Sequence, residues 1–412
     1  MSEYAIALIR DDQIAETQAL MNRCFDAKLA SIFYLHPEST LVVTYQNQVV
    51  AGINLDVYQV NKCVKMGYIG WLYTDKDHRG NALAGKLLDE AISFLKEEGC
   101  TSLSACVEGD NPASFKQLAN RGFTILALKD QIQLFKLGTA KVYHYASRFF
   151  DMGYFLWHKS LTGQSIKKAS VGLKALLFTL LGNTLLFFSC MMGWNLLNLA
   201  GFHPFESSFF ISFSSLSLPQ KTFSLAIPSL FLLARTGAMF VLTMREQGKE
   251  AHREQPLQEM PERDLKNEIL KKELAREETR KQEKPIQEKG KKVLYRGWDT
   301  AWILAILLTF TMGFPFPVPG NLYIKGLDWK LGKEQLLLAR MGIAGQVAVA
   351  LICLFAPKGI PLLFGLELLA LDGFFFFYPF CGFNASRIKR MGAKTYGLSL
   401  AITLVLLLMI FL

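Results

Sequence analysis

Six apolar runs in the second part of the chain constrain its fold more than any other feature. Each has close to the ~20 residues that a helix needs to cross a bilayer. They are Val171–Leu197, Thr222–Met244, Trp298–Phe316, Leu336–Ala356, Gly359–Phe383 and Tyr396–Leu412. The first ~137 residues instead mix charged and apolar positions, as a water-soluble domain does. The sequence therefore predicts a multi-pass membrane protein that begins with a soluble domain.

Charge placement favours the cell membrane, with the N-terminal domain in the cytoplasm. The net charge is +10, but Lys and Arg gather beside the apolar runs, at 136–168, 245–297 and 387–394. This pattern is typical of positive-inside topology, so we expect no nucleic-acid partner. Residues 1–10 lack the basic and apolar regions of a signal peptide. The seven cysteines form no C-x-x-C pair, which fits a reducing compartment.

Composition divides the chain into five predicted parts. The first, 1–137, alternates short strands with amphipathic helices, which predicts an α/β domain with a mixed central sheet flanked by helices. The others are an aromatic, basic connector at 138–169, two transmembrane helices at 170–244, a charged cytoplasmic helical insertion at 245–297, and an all-α membrane region at 298–412. Residues 142–158 read as a helix lying on the membrane surface or, alternatively, as a packed connector helix. A re-entrant course for 298–316 would place the cations of 387–394 in the cytoplasm.

One stretch in the first domain predicts an anion site. The strand 68–74 runs into a polar turn, Asp75–Asn81, and then into an amphipathic helix that begins near Leu83. Backbone N–H groups of such a turn and the helix dipole point into one concavity, which suits a pyrophosphate. Small side chains let the phosphates approach the backbone closely.

The same stretch resembles the pyrophosphate loop of the GNAT acetyltransferases, R-G-x-G-x-G/A, with Arg79, Gly80, Ala82 and Ala84 in register. A second stretch, Asn111–Phe123, resembles that family's N-x-x-A-x-x-L-Y-x-x-x-G-F. The resemblance covers about residues 3–137. It implies acetyl-CoA as cosubstrate, an amine as acceptor, and a set of coenzyme-binding residues. These are the backbone groups of Leu72 and Thr74 for the pantetheine arm, the N–H groups of Arg79, Gly80, Asn81, Ala82, Leu83 and Ala84 for the pyrophosphate, and Asn111 with Ser114 near the thiol.

Two departures from the family pattern concern the chemistry. Ala82 stands where glycine is usual, which a right-handed backbone would tolerate. Leu118 occupies the position of the family's frequent tyrosine, and leucine cannot protonate a leaving thiolate. Glu108, after the strand 103–107, is a candidate general base, and Tyr73 is a candidate hydroxyl donor. Each of these two is equally open to a structural or surface role.

The second half resembles the site-2 protease family of intramembrane metalloproteases. The similar stretches are Pro317–Ile324, Ala344–Ala348 and Pro379–Arg387. The family's zinc site needs two histidines and a distant aspartate. The segment 233–239 contains no histidine, and Asn384 holds the aspartate position. We therefore expect a pseudoprotease scaffold with no metal and no proteolysis.

Some charged residues fall well inside the apolar runs, where charge is costly unless it is paired. They are Arg235, Arg340, Glu367 and Asp372. We expect Arg235 to pair with Asp372 or Glu367, and the alternative is a polar substrate cavity.

Three functions remain open at this point. The first is a membrane-anchored N-acetyltransferase that transfers an acetyl group from acetyl-CoA to an amine. The second is a non-catalytic protein that senses acyl-CoA or binds a membrane protein partner. The third, a transporter or channel, is motivated only by the intramembrane charges.

Overall fold

The computed structural model describes residues 4–25, 33–107, 109, 111–148, 155–163, 168–201, 217–253, 292–324, 332–356, 360–374, 382–389 and 392–411. Strands and helices alternate in the first part of the chain. They are β1 (Ala5–Leu8), α1 (Ile14–Cys24), β2 (Thr40–Tyr45), β3 (Gln48–Asn61), β4 (Val64–Thr74), α2 (Leu83–Glu97), β5 (Ser102–Val107), α3 (Pro112–Asn120), β6 (Thr124–Ile125), α4 (Leu128–Phe135), α5 (Thr139–Arg148) and β7 (Phe155–Ser160).

The seven strands form one mixed sheet in the order β1-β2-β3-β4-β5-β7-β6. Only β4 and β5 are parallel, and α2 makes the crossover between them. The strands β2 and β3 form a hairpin, with Gln46 and Asn47 both at positive φ in its turn. Two positive φ values are typical of the tight turns that match the twist of paired strands. The predicted mixed α/β sheet is thus confirmed.

Each face of the sheet is covered by a helix with an apolar stripe. On one face, α2 buries Leu87, Leu88, Ala91 and Leu95 against β3, β4 and β5. On the other face, α1 packs against the sheet through Leu20 and Met21. These residues recur at helical spacing, which is why the sequence alone indicates both helices.

The helix predicted over 142–158, on the membrane surface or as a packed connector, is wrong from Phe155 onward. Residues Phe155–Ser160 form β7, which pairs with all of β5 and lies between β5 and β6. Trp157 and His158 are buried in this strand. The sheet therefore extends past the predicted boundary at residue 137, because its sixth position is filled by a strand that follows two further helices.

The second part of the chain is mainly helical. Its elements are α6 (Leu173–Met191), α7 (Leu196–Leu199), α8 (Leu218–Arg253), β8 (Val293–Arg296), α9 (Ala301–Met312), β9 (Asn321–Ile324), α10 (Gly332–Cys353), α11 (Ile360–Phe374), α12 (Ala385–Lys389) and α13 (Ala393–Phe411). Among the described residues, three helices are long and apolar enough to cross a membrane. They cover Leu173–Leu199, Lys221–Gly248 and Glu334–Cys353.

The segment between β8 and β9 begins and ends at paired residues of the two strands. Arg296, the last residue of β8, pairs with Asn321, the first residue of β9, in an antiparallel ladder. The helix α9 between them has 12 residues, or about 18 Å, which is shorter than a ~30 Å hydrocarbon core. The chain then returns through an extended, largely buried stretch, 314–320. The two ends of this segment therefore lie side by side, and its re-entrant course through a membrane stays a prediction.

The charged insertion predicted at 245–297 is helical at its start, as predicted, but its last residues form a strand. The helix α8 continues through the predicted boundary to Arg253, and residues 293–296 are the strand β8. The strand β8 belongs to the helical part of the fold because it pairs with β9. Residues 254–291 of the insertion lie outside the described part of the chain.

Candidate functional site

The candidate site lies where the parallel strands β4 and β5 end. The carboxyl ends of parallel strands share one edge of a sheet, and the helices that follow them, α2 and α3, begin at that edge. Ligands of α/β proteins bind at such edges. The last β4–β5 pair joins Ile69 to Ala105, and β4 continues to Thr74 without β5 beside it.

A bulge in β4 marks the point at which the two strands separate. The register against β3 shifts between Ile69 and Leu72, so that Gly70 and Trp71 both lie opposite Asn54. A bulge bends its strand and increases the local twist, and bulges are common beside active sites. One edge of the segment 72–74 therefore has no strand partner among the described strands. This segment contains Leu72 and Thr74, the predicted pantetheine-binding positions.

The loop after Thr74 is folded tightly. Asp75 accepts a hydrogen bond from Asp77 N and caps a 3₁₀ turn over Lys76–His78. The hydrogen bond from Arg23 lowers the pKa of Asp75 and pairs its charge. The Nε of Arg79 donates to Thr74 O at 3.4 Å. The predicted loop residues thus surround the end of β4.

The start of α2 has the features of an anion site. Ala82 is its N-cap and offers no side-chain acceptor to the helix N–H groups. The first backbone bond of the helix runs from Lys86 N to Ala82 O at 3.1 Å, so the N–H groups of Leu83 and Ala84 precede the helical ladder. The first turn contains no acidic residue, and Gly80, Asn81 and Ala82 are exposed. The dipole and these N–H groups favour a phosphate.

Ala82 does not adopt the right-handed backbone that would tolerate alanine without strain. Ala82 has φ 56° and ψ 19°, which is the left-handed conformation, and Gly80 also has a positive φ, 90°. A non-glycine residue in this region costs roughly 1–2 kcal/mol. The loop therefore keeps the geometry that glycine provides elsewhere, at a cost in stability.

Replacing Ala82 by glycine relieves this strain. We expect Ala82→Gly to raise the free energy of unfolding by up to about 1 kcal/mol, the remainder being lost to the larger entropy of glycine in the unfolded chain. Thermal unfolding of the full-length protein in detergent micelles measures the effect. The matched control is Ala84→Gly in the following helical turn, which should destabilise the protein. A lower melting temperature for Ala82→Gly would contradict the left-handed conformation.

The second predicted coenzyme-binding pair lies at the start of α3. The side chain of Asn111 caps this helix by accepting a hydrogen bond from Ser114 N at 3.2 Å. Both side chains are half-buried. The cap explains the pairing of Asn111 with Ser114 structurally, and the Asn111 amide keeps its NH₂ group for a ligand.

The positions of the predicted catalytic groups give little support for a chemical role. Tyr73 is 2% exposed, its hydroxyl donates to Asn54 Oδ1 at 3.0 Å, and burial raises its pKa. This placement favours a structural role for Tyr73. Leu118 packs in the main core and supplies no polar group. Glu108 lies outside the described residues, so its role as a base stays a prediction.

A buried polar cluster occupies the helical part of the chain. The expected pair of Arg235 with Asp372 is confirmed: Nε and Nη2 of Arg235 donate to the two carboxylate oxygens at 2.6 and 2.9 Å. Arg235 also donates to the carbonyls of Gly320 and Gly382. Asn384 donates its backbone N–H to Asp372 Oδ1 at 2.9 Å. Asp372 therefore joins the two positions, 235 and 384, that lie in the protease-like motifs.

Within the described ranges, Arg340 and Glu367 are not part of such a buried ion pair. Arg340 contacts Glu246 at 3.7 Å and is about half exposed. Neither carboxylate oxygen of Glu367 has a hydrogen-bond partner among the described residues. In the part of the chain that the structure covers, no group of three or more His, Cys, Asp or Glu side chains converges on a metal position.

Comparison with known proteins gives a family for the first part of the chain. Residues 6–123 match the model of the Acetyltransferase (GNAT) family. No curated protein matches the chain. Solved structures similar to it include the NatC complex bound to Gag peptide and CoA (18% identity, TM-score 0.29, 39% of this chain and 99% of that one). Another is the ribosomal-protein-S18-alanine N-acetyltransferase of Escherichia coli, with 18% identity and a TM-score of 0.25 over 30% of this chain and 78% of that one. A third is N-acetylglutamate synthase of Neisseria gonorrhoeae complexed with coenzyme A and N-acetyl-glutamate, with 15% identity and a TM-score of 0.29 over 39% of this chain and 36% of that one.

The match covers β1 to α3, which includes the bulged strand β4, the loop 75–82 and the start of α2. The mixed sheet with flanking helices has the architecture expected for that family. Residues 6–123 thus match the GNAT family model and lie in a mixed-sheet domain that is joined to a largely helical second part.

Proposed function

We propose that this protein is a membrane-anchored N-acetyltransferase that transfers the acetyl group of acetyl-CoA to an amine. The observation that carries the proposal is the start of α2, where exposed backbone N–H groups follow a tight loop and no side chain caps the helix. The diphosphate of coenzyme A would bind there. The pantetheine arm would run along Leu72 and Thr74, past the bulge, toward the ends of β4 and β5.

The membrane location is supported by the helical half of the chain. Three described helices have the length and hydropathy of membrane spans. Many of their large apolar side chains are exposed, including Leu181 and Val241. Such an area of apolar surface is unfavourable in water and suits contact with lipid. We propose that the N-terminal domain faces the cytoplasm, as the charge placement predicts.

The helical half has the arrangement expected of a pseudoprotease scaffold. Arg235 and Asn384, from two separate protease-like motifs, both bond Asp372. A guanidinium and an amide hold a carboxylate at the place where the resemblance implies a metal. This arrangement supports a structural role for the cluster.

A second function, acyl-CoA sensing without turnover, is favoured by one observation. Leu118 is 3% exposed and belongs to the core, so the helix α3 offers no proton donor at this position. A sensor would bind acetyl-CoA and release no thiol. Thiol release therefore separates the two functions.

Asn81→Asp tests the proposed coenzyme site directly. The side chain keeps its size but adds a negative charge beside the proposed diphosphate. We expect the Kd for acetyl-CoA to rise about tenfold, which corresponds to about 1.4 kcal/mol. Isothermal titration calorimetry on the full-length protein in detergent micelles measures Kd. Free thiol release with a mixture of amines measures turnover.

Ser93→Asp is the matched control, because it adds the same charge at an exposed position near the other end of α2. It should leave the Kd for acetyl-CoA unchanged. Equal weakening by both variants would indicate a general charge effect and remove the site from the start of α2. No binding of acetyl-CoA at millimolar concentration by the wild-type protein would overturn the proposed function.

A further inference from the structure

The hairpin β8–β9 covers the edge of the sheet that carries the candidate site. Gly109 follows β5 and packs so closely against the Tyr323 hydroxyl that a side chain at position 109 would overlap it. The ring of Phe155, which pairs with Val107 at the end of β5, lies 5.5 Å from the ring of Tyr323. The second half of the chain therefore contacts the transferase domain at the end of β5.

Arg296 brings a positive charge to this contact. Its guanidinium lies 5.7 Å from the centre of the Phe115 ring, and Phe115 belongs to the first turns of α3, directly after the Asn111 cap. Arg296 is half-buried and has no carboxylate within salt-bridge distance among the described residues. An arginine that is partly buried and has no carboxylate partner is suited to bind an anion from outside the chain.

The position of Arg296 is fixed from the helical side. Arg296 pairs with Asn321 across the hairpin. Arg387 donates to Asn321 Oδ1 at 2.8 Å and to Leu322 O at 3.1 Å, and its guanidinium lies 5.0 Å from the centre of the Tyr323 ring. Arg235 holds the preceding carbonyl, that of Gly320. The buried polar cluster thus orients the hairpin against the transferase domain.

We propose that the acyl acceptor binds at the rim of the contact between the end of β5 and the hairpin β8–β9, where the half-buried Arg296 holds an anionic group of this acceptor. The acceptor class is an amine that carries a carboxylate or a phosphate. This inference rests on the proposed acetyltransferase function and adds the acceptor to it. Phe115, which is also half-buried, provides apolar surface beside Arg296, and the buried rings of Tyr323 and Phe155 pack behind it.

The transfer itself balances with the groups named. The amine nitrogen forms a bond to the acetyl carbonyl carbon, and the carbon–sulfur bond of acetyl-CoA breaks. The proton that the nitrogen loses ends on the sulfur of coenzyme A, which leaves as the thiol. Arg296 does not take part in these bonds; it positions the acceptor and determines its specificity.

Arg296→Gln tests the inference in full-length protein reconstituted in nanodiscs. Thiol release from acetyl-CoA is followed with alanine and with alaninamide, in which an uncharged amide replaces the carboxylate. The rate constants are expressed per free amine, because the carboxylate also raises the pKa of the amino group. It is also followed in nanodiscs with and without phosphatidylethanolamine, whose amine lies beside a phosphate. We expect wild-type kcat/KM to favour the anionic amine, from the soluble or the lipid source. Arg296→Gln should lower kcat/KM for that amine about fivefold, and Arg296→Lys should lower it less.

Lys292→Gln is the matched control, since Lys292 is an exposed cation directly before the same strand. It should leave the preference for the anionic amine unchanged. Calorimetry with acetyl-CoA must give the wild-type Kd for Arg296→Gln, which shows that the transferase domain is folded. The inference would be overturned if Arg296→Gln lowered kcat/KM equally for alanine and alaninamide, or lowered it for neither. It would also be overturned if the wild-type protein released thiol with none of the anionic amines. Absence of thiol release by the wild-type protein with every amine, including alaninamide, would instead overturn the proposed acetyltransferase function itself.

Discussion

Asp372→Ala is expected to cost about 3–5 kcal/mol of stability, the largest effect of any substitution considered for this protein. The carboxylate accepts two hydrogen bonds from Arg235, and both side chains are 1% exposed. Removal of Asp372 leaves the Arg235 guanidinium buried without its counterion. The melting temperature of the full-length protein in detergent micelles measures the loss.

Two variants establish that the effect comes from the unpaired charge. Arg235→Met combined with Asp372→Leu removes both charges and should recover a large part of the stability, since apolar replacement of a buried pair is often neutral. Arg340→Ala removes an arginine from the same helical half, but its contact with Glu246 is half-exposed and should contribute about 1 kcal/mol or less. Similar losses for Asp372→Ala and Arg340→Ala would contradict the ion pair's role.

Acid should destabilise the protein through His158. This side chain is 1% exposed in β7, and burial lowers its pKa from the ordinary 6.5 to about 4. As the pH falls through 6.5, the unfolded chain takes up a proton that the folded protein does not bind until about pH 4. The free energy of unfolding should therefore fall by about 3 kcal/mol over this range.

His158→Leu removes this titration. We expect its melting temperature to change less than that of the wild type between pH 6.5 and pH 4. His144, which is exposed on α5, provides the control, because His144→Leu should leave the pH profile of stability as in the wild type. Identical profiles for His158→Leu and wild type would show that His158 does not carry the acid sensitivity.

The sequence predicts the local elements of the first domain well. Amphipathic periodicity indicates α1 and α2, and the polar residues at 46–47 indicate the hairpin of β2 and β3, because these signals depend on neighbours in the chain. The strand β7 is not indicated. Its partner β5 is some fifty residues earlier, and its aromatic and basic residues resemble those of a membrane-surface helix.

The candidate site is predictable to a similar extent. The loop from Arg79 to Ala84 is recognisable because its residues resemble the pyrophosphate loop of the GNAT family. The left-handed backbone of Ala82 is not evident from the sequence, since alanine seldom adopts it. Arg296 and Tyr323 are also missed, because only the tertiary fold brings them to the end of β5. The one local signal is that two polar residues, Arg296 and Asn321, stand before and after an apolar run.

The late position of β7 affects how the protein is made and how it is best expressed. A fragment cut at residue 137 or 140 lacks this strand, which leaves β5 with an unpaired edge and β6 with no neighbour. Such exposed edges invite aggregation. On the ribosome, the sheet stays incomplete until Ser160 emerges, shortly before the first long apolar helix begins at Leu173. Folding of the N-terminal domain and insertion of the proposed membrane helices are therefore expected to be almost simultaneous.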